Sequence, residues 1–315
     1  MSLPPDPFRI DWNTATDRQW NGLLARCHRP TLTQTFAHAM ASAAIEGWRV
    51  DAGIIHFAGQ PIGLVMVQWR KVMGLFQICR LDRGPLWLHP EIPGEMQKLV
   101  LVQIRRRYGP WRGRFLTFRP ELPDRPEIRA QMKAAGFTRR EEGYQTIWLD
   151  LGAEEAALRA GLRQNWRNAL VQAERAGLTV EEDAQGRLID WLLPLYEADR
   201  AERAYPGPSG RFLALWLKSG GGWRLYRALA GGEPVAAVLL LPHGRAATYQ
   251  VGWTSPEGRR RRAHHLLLWQ AALRLKAAGC RWLDLGGISA GRAPGVTRFK
   301  QGLGGEEVTL AGGYS

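Results

Sequence analysis

Two stretches of the chain share one pattern and constrain the fold more than anything else in it. "FAGQPIGLVMV" (57–67) and "LAGGEPVAAVLLL" (229–241) each run from an apolar strand into a small or glycine-bearing turn, then a proline, then an aliphatic strand. The strands that lead in, "WRVDAGIIHF" and "WRLYRALA", are also apolar and β-rich. Each stretch reads as a β-hairpin. Recurrence in both halves of a 315-residue chain implies two related lobes with a hairpin at each centre. A single hydrophobic core stops growing near roughly 250–300 residues, so two lobes also suit the length.

The remaining periodicity places helices and strands around these hairpins. Helices are expected over 17–26, 34–46, 91–107 and 125–135 in the first half, and over 154–176, 188–218 and 263–278 in the second. Further strands are expected at "GLFQICRL", "GRFLTF", "GYQTIWLDL", "RAATYQVGW" and "RWLDL". Antiparallel hairpins mixed with helices indicate an α+β class with mixed sheets flanked by helices. The lobes are expected over 1–151 and 152–315.

Several chemistries are disfavoured at this stage. No glycine-rich dinucleotide fingerprint follows a strand, and no P-loop, H-E-x-x-H or G-x-S-x-G motif occurs. Cys27, Cys79 and Cys280 are odd in number and widely spaced, which reads as buried thiols rather than a disulfide framework or a metal site. The longest aliphatic run, 235–241, falls far short of the ~20 residues of a membrane span. Residues 1–20 lack the basic and apolar blocks of a secretion signal. A cytoplasmic protein is expected, with peripheral membrane association left open.

The formal net charge of +14 draws attention to polyanions. Arg159, Arg163 and Arg167 recur every four residues and would stripe one face of the expected 154–176 helix, a track for nucleic-acid phosphates. The consecutive Arg259, Arg260, Arg261 and Arg262 precede the expected 263–278 helix, whose N-terminus also favours an anion. His264 and His265 adjoin them and read as packing or capping residues. Asp284 sits where a strand enters a glycine turn and reads as a partner of the turn backbone. Lys300 is one of only six lysines in this arginine-rich chain. A lysine pKa moves readily with its surroundings, whereas guanidinium stays charged, so the choice hints at chemistry.

Taken together, "LRQNWRNALVQAERAGLTV", "EADRAERAYPGPS", "HHLLLWQAALRLKAAGCRWLDLGGIS" and "VTRFKQGLGGEEVTLAGGY" resemble, in order and spacing, the second half of the Fem-type (FemABX) aminoacyltransferases. "TQTFAHAMASAAIEGWRV", "LDRGPLW" and "YQTIWLDL" extend the resemblance into the first half. It implies two tandem GNAT-like lobes, in agreement with the repeated hairpin. It further implies transfer of an amino acid from aminoacyl-tRNA to an amine acceptor, typically a peptidoglycan precursor, without a bound cofactor or metal. On this resemblance Phe299 and Lys300 fall on the catalytic pair, while Arg203, Tyr249 and Arg298 fall among substrate-binding positions. Two departures stand out: the helix at 35–45 has no lysine or arginine where lipid- or nucleotide-binding members place a lysine, and no coiled-coil arm interrupts the second lobe. An acyl-CoA-dependent N-acyltransferase and a non-catalytic RNA-binding protein remain the alternatives.

Overall fold

The computed structural model of the chain describes residues 8–203, 207–289, 291 and 293–315. The first residues of the chain, and 204–206 of the "EADRAERAYPGPS" segment, therefore lie outside the described residues. The chain divides into two compact units, Met1–Tyr144 with Thr309–Ser315, and Gln145–Val308.

The first unit contains β1 (Phe8–Trp12), α1 (Asp17–Leu24), α2 (Phe36–Glu46), β2 (Arg49–Phe57), β3 (Gln60–Val72), β4 (Phe76–Gly84), β5 (Leu86–Trp87), α3 (Gly94–Tyr108), β6 (Arg114–Pro120), α4 (Pro126–Ala134) and β7 (Arg139–Glu141). The second contains β8 (Gln145–Asp150), α5 (Glu155–Ala160), α6 (Gln164–Glu174), β9 (Thr179–Asp183), α7 (Ile189–Glu202), α8 (Gly210–Lys218), β10 (Arg224–Ala230), β11 (Glu233–His243), β12 (Ala246–Thr254), α9 (Pro256–Arg260), α10 (Ala263–Ala277), β13 (Trp282–Asp284), α11 (Pro294–Gly302) and β14 (Glu306–Thr309). The closing strand β15 (Gly313–Tyr314) returns to the first sheet.

The strand orders repeat as the sequence implied. One sheet runs β1-β2-β3-β4-β6-β15-β7, with β5 on β3, and the other β9-β10-β11-β12-β13-β8-β14. In each, a hairpin and a third antiparallel strand precede a crossover to a parallel strand, β4 to β6 through α3 and β12 to β13 through α10. The two hairpins agree even in their irregularities. Ala58 and Gly59 have φ of 49° and 79°, and Gly231 and Gly232 have 59° and 89°. Positive φ at both central residues is the two-residue turn whose twist matches that of paired strands. Both ladders slip one residue beyond the turn, where Pro61 opposes His56 and Pro234 opposes Leu229. Proline has no N–H to give a ladder and is accommodated at such irregularities.

The sixth strand of each sheet departs from the sequence expectation. "GYQTIWLDL" reads as part of the first lobe, but its strand β8 pairs with β13 in the second sheet, and the sixth position of the first sheet is filled from 313–314 by β15. The division between units thus falls at Tyr144/Gln145 rather than 151/152, with 309–315 on the other side. Periodicity marks a strand but not the sheet it joins.

Two long helices are also interrupted. The expected 154–176 helix is α5 and α6, broken at Gly161–Arg163, and the expected 188–218 helix is α7 and α8. Ser209 caps α8 by accepting from the Phe212 N–H at 3.2 Å, a start signal inside what read as one helix.

In the first unit α3 and α4 supply Val100, Ile104 and Met132 to a core with Val65, Leu81 and Phe118, and the opposite face packs Trp20, Leu24 and Ala39 against Leu64 and Met66. In the second, the central strand β11 is buried without interruption over 235–241, which accounts for the aliphatic run there. Trp166 and Leu170 of α6 and Leu267, Ala271 and Leu275 of α10 cover it. Burying each such side chain contributes roughly 1.5–3 kcal/mol. No helix among the described residues is long and apolar enough to cross a membrane.

Candidate active site

The second sheet opens where its parallel pair ends. β12 and β13 are matched at Ala246/Trp282, Ala247/Leu283 and Thr248/Asp284, and the pairing stops there. Past Asp284 the chain stays with β8, the Leu285 N–H bonding the Ile147 carbonyl and the Ile288 N–H the Gln145 carbonyl, both at 2.9 Å. On the other side β12 carries a bulge, since Leu240 opposes Tyr249 and Leu239 opposes Val251 with Gln250 between. A bulge bends its strand and re-aims side chains. The two strands therefore part, with Tyr249 on one edge and the Gly286–Gly287 turn on the other.

Asp284 fixes that turn. Its Oδ1 accepts from the Gly286 N–H at 2.8 Å and from the Thr146 hydroxyl at 2.5 Å, with Asp284 1% and Thr146 0% exposed. Gly286 has φ 71°, and a Cβ there would meet the Tyr249 carbonyl at 3.2 Å and Lys300 Nζ at 3.6 Å. Glycine suits both the left-handed backbone and the close approach.

Lys300 reaches this turn from α11. Its ammonium donates to the Gly287 carbonyl at 2.8 Å and lies 5.6 Å from the centre of the Tyr249 ring. The residue is 6% exposed. Burial, partly offset by the Asp284 charge, lowers its pKa to about 8. At neutral pH it remains a cation, with two N–H bonds beyond the one to Gly287.

Tyr249 is positioned by α10, its hydroxyl lying 2.6 Å from His264 Nε2. Burial first, then the neighbouring His265, brings the His264 pKa down to about 4, so the imidazole is neutral at physiological pH. A Cβ on Gly252 would fall 2.0 Å from the Tyr249 hydroxyl and 2.7 Å from the His264 ring, so only glycine leaves room for the pair. Phe299 stacks among Trp166, His264 and His265, with centroids 5.9, 5.3 and 5.0 Å away. Trp166 also rests on α11 at Gly302, where a Cβ would come within 2.5 Å of its ring. These aromatic contacts fix the helix that carries Lys300.

Comparison with known proteins agrees with this frame. Residues 157–301 match the family model described as an acetyltransferase (GNAT) domain, a span that ends one residue past Lys300. The crystal structure of FemX is similar at a TM-score of 0.80 with 13% identity, covering 96% of each chain. The chain has the Fem-type tandem GNAT fold. A conserved protein of unknown function from Bacteroides thetaiotaomicron shares it at a TM-score of 0.63 with 13% identity, over 97% of this chain and 98% of that one. A tandem GNAT protein from the clavulanic acid biosynthesis pathway does so at 0.50 with 15% identity, over 97% and 98%. A search of the curated proteins gave no match.

Within the Fem-type fold the expected residues fall into two groups. Lys300, Phe299 and Tyr249 come together, whereas the arginines lie among other partners. Arg203 is exposed at the end of α7 and pairs with Asp199 at 2.7 Å, and Arg298 is exposed on α11. Because the expected helix breaks at Gly161, Arg159, Arg163 and Arg167 do not stripe one face. Arg159 grips Glu174 at 2.7 and 2.8 Å, Arg163 faces Glu307 at 3.7 Å, and Arg167 donates to the carbonyls of Ala160 at the end of α5 and of Leu162 in the break. The Arg259–Arg262 run proves to close a helix as much as to open one. Arg259 and Arg260 occupy the last turn of α9, where positive charge is favoured, and Glu257 pairs with Arg260 and Arg261. Arg262 precedes α10 in a left-handed conformation at φ 56°.

Thr146 and the Tyr249–His264 contact were not visible in the sequence. Thr146 lies 138 residues from Asp284, and no local pattern joins them. The bulge that turns Tyr249 is likewise a property of the ladder. Asp284 does bond the turn backbone as expected, and it also attracts Lys300. Among the described residues no group of three or more His, Cys, Asp or Glu is placed to hold a metal ion. Cys27 and Cys79 are buried thiols and Cys280 is half-buried.

Proposed function

We propose that this protein is an acyltransferase that moves the aminoacyl group of a charged tRNA to an amine, with Lys300 as the residue that stabilises the reaction's developing charge. The observation that carries this reading is a buried, still cationic Lys300 at the point where β12 and β13 part. Attack of a neutral amine on the ester carbonyl forms the C–N bond and places negative charge on the carbonyl oxygen. Lys300 has two N–H bonds for that oxygen in a poorly hydrated setting, where such a cation is worth several kcal/mol. Collapse breaks the C–O bond to the tRNA ribose, and the departing oxygen takes the proton the amine nitrogen releases. His264, with a pKa near 4, is too weak a base to remove that proton at neutral pH. Its part is to hold the Tyr249 hydroxyl, which in turn orients the acceptor amine.

The Fem-type fold supports the donor class, and an amine-bearing cell-wall precursor is the acceptor class to try first. Arg203, Arg298 and the runs at Arg159, Arg163, Arg167 and Arg259–Arg262 are the cations available to the tRNA backbone, through contacts that weaken steeply with salt. The parted strands also favour a second reading, an acyl-CoA donor whose extended arm would take the place of the missing strand pairing.

The test is incubation with a mixture of charged tRNAs and primary-amine acceptors, following loss of the aminoacyl ester. Acceptor-dependent loss that Lys300→Met abolishes is the expected result. Consumption of acyl-CoA thioesters instead would establish the second reading, and turnover of neither donor would reject both.

A further inference from the structure

A different surface, on the first unit, has no part in this chemistry. Val72, Met73, Leu75, Phe76, Trp111 and Phe115 are all exposed, Met73 and Leu75 at 86% and 82%. They belong to one tip. Met73 and Gly74 form the β3–β4 turn with φ of 52° and 72°, and Val72 opposes Phe76 across it. The Phe76 and Phe115 rings lie 5.9 Å apart, and the Gly113 carbonyl beside Trp111 accepts from the Gln77 N–H at 2.9 Å. A cluster of large apolar side chains at a loop tip marks an interaction site rather than ordinary surface.

The charge around the tip is mostly positive. Neither 69–78 nor 105–115 contains an Asp or Glu, while Lys71 opposes Gln77, which opposes Arg114, and the exposed Arg112 follows Trp111. Beside the turn a groove of about 420 Å³ is lined by Arg49, Arg70 and Lys71 with Gly47, Val72 and the single carboxylate of Glu46. An apolar wedge collared by cations complements an interface of anionic headgroups over acyl chains. The most exposed residues, Met73 and Leu75, are flexible and non-aromatic, so they suit insertion among acyl chains better than stacking on bases.

We propose that this tip docks the protein on anionic phospholipid bilayers, Met73 and Leu75 entering the acyl boundary while Arg49, Arg70 and Lys71 meet headgroup phosphates. The experiment is co-sedimentation of the full chain with vesicles of phosphatidylcholine alone and of phosphatidylcholine mixed equally with phosphatidylglycerol. Binding to the mixed vesicles only is expected. It should fall by about tenfold or more in Met73→Ser/Leu75→Ser, and again in Lys71→Glu/Arg112→Glu. These side chains are exposed, so the variants should fold. Failure of the wild type to bind mixed vesicles, or undiminished binding by the serine variant, would overturn the proposal. Bulk tRNA captured through the tip, lost on charge reversal and kept by the serine variant, together with no vesicle binding, would assign the surface to nucleic acid. Self-association that the serine variant abolishes, again without vesicle binding, would make it a contact between copies of the chain.

Discussion

The two units share a strand order, a hairpin turn and even a proline beside the bulge, yet only in the second does the parallel pair part after three residues. In the first, β4 and β6 remain joined from Gln77/Arg114 to Gly84/Pro120. In the second, β12 and β13 hold together for three pairs and separate. The gaps are also filled differently: β3 and β4 pair only from Gln68/Arg80 to Val72/Phe76, and a buried glutamine bridges the two strands beyond that point. Gln34, 1% exposed, donates to the Met66 and Asp82 carbonyls at 3.2 and 2.9 Å and accepts from the Met66 N–H at 2.7 Å. Thr33 adds a bond to the Asp82 carbonyl at 2.7 Å, and Arg119 holds the Asp82 carboxylate at 3.0 Å. In the second unit Asp284 bonds the turn that follows it, and Lys300 fills the space beside that turn. A shared fold thus gives a frame, and the candidate site lies where the second copy leaves its parallel pair incomplete.

Lys300→Met removes the charge that sets the second unit apart. Loss of the cation should lower transfer by about 10²–10³-fold, the effect of removing one preorganised oxyanion donor. The same change should stabilise the fold. A lysine whose pKa drops from 10.5 to about 8 on folding costs about 3 kcal/mol while it is charged. Lost transfer with a raised unfolding midpoint is the expected pair of results. Lost transfer with a lowered midpoint would mean Lys300 serves packing, and the two units would then differ less than their geometry suggests.

Gly252→Ala comes next. A Cβ there collides with Tyr249 and His264, so the hydroxyl must leave its place. Transfer should fall by about tenfold, with a stability loss of about 1–3 kcal/mol from the overpacked site. If Tyr249 orients the acceptor, most of the loss should appear in KM for the amine rather than in KM for the acyl donor.

What the sequence revealed follows the same division between local and distant causes. The hairpins were legible because a small or glycine-bearing turn followed by proline leaves a local signature. Lys300 stood out because lysine is rare in this chain, and Asp284 because a strand ran into Gly286–Gly287. The destinations of β8 and β15 were hidden, since pairing with β13 or β6 depends on contacts far along the chain. Gly161 passed for an interior helix residue, although Arg167 bonding the Ala160 and Leu162 carbonyls ends α5 there. The arginine run reads as opening a helix because α9, five residues long, is too short for periodicity to reveal.

Gln34→Leu tests the closed unit. It would strip three buried hydrogen bonds from β3 and β4 and leave backbone groups without partners. A loss of about 2–3 kcal/mol is expected. Transfer per folded molecule should not change, because the proposed chemistry lies wholly in Gln145–Val308. A kinetic effect measured under conditions where the protein stays folded would show that the closed unit does more than support itself.

The smallest effect expected is in the response to pH, where the units should move in opposite senses. In the first, burial alone would raise the Asp51 pKa. Hydrogen bonds from Tyr108 at 2.7 Å and Asn13 at 3.1 Å, with Arg107 at 3.5 Å, carry it below the usual carboxylate value instead. Its stabilisation is therefore complete above the unfolded pKa near 4 and is lost as pH falls through the lower folded value. In the second, the Lys300 ammonium costs stability below about 8, and that cost is relieved as pH rises from there toward 10.5. Hydrogen exchange can follow the units separately, reading β2 and β3 for one and β11 and β12 for the other. Acid should loosen β2 and β3 more in the wild type than in Asp51→Asn, which no longer has a carboxylate to protonate. Mild alkali should tighten β11 and β12 in the wild type and leave Lys300→Met unchanged. If both units loosened together at low pH, with the same slope in Asp51→Asn, the acid response would belong to the whole chain's charge rather than to Asp51.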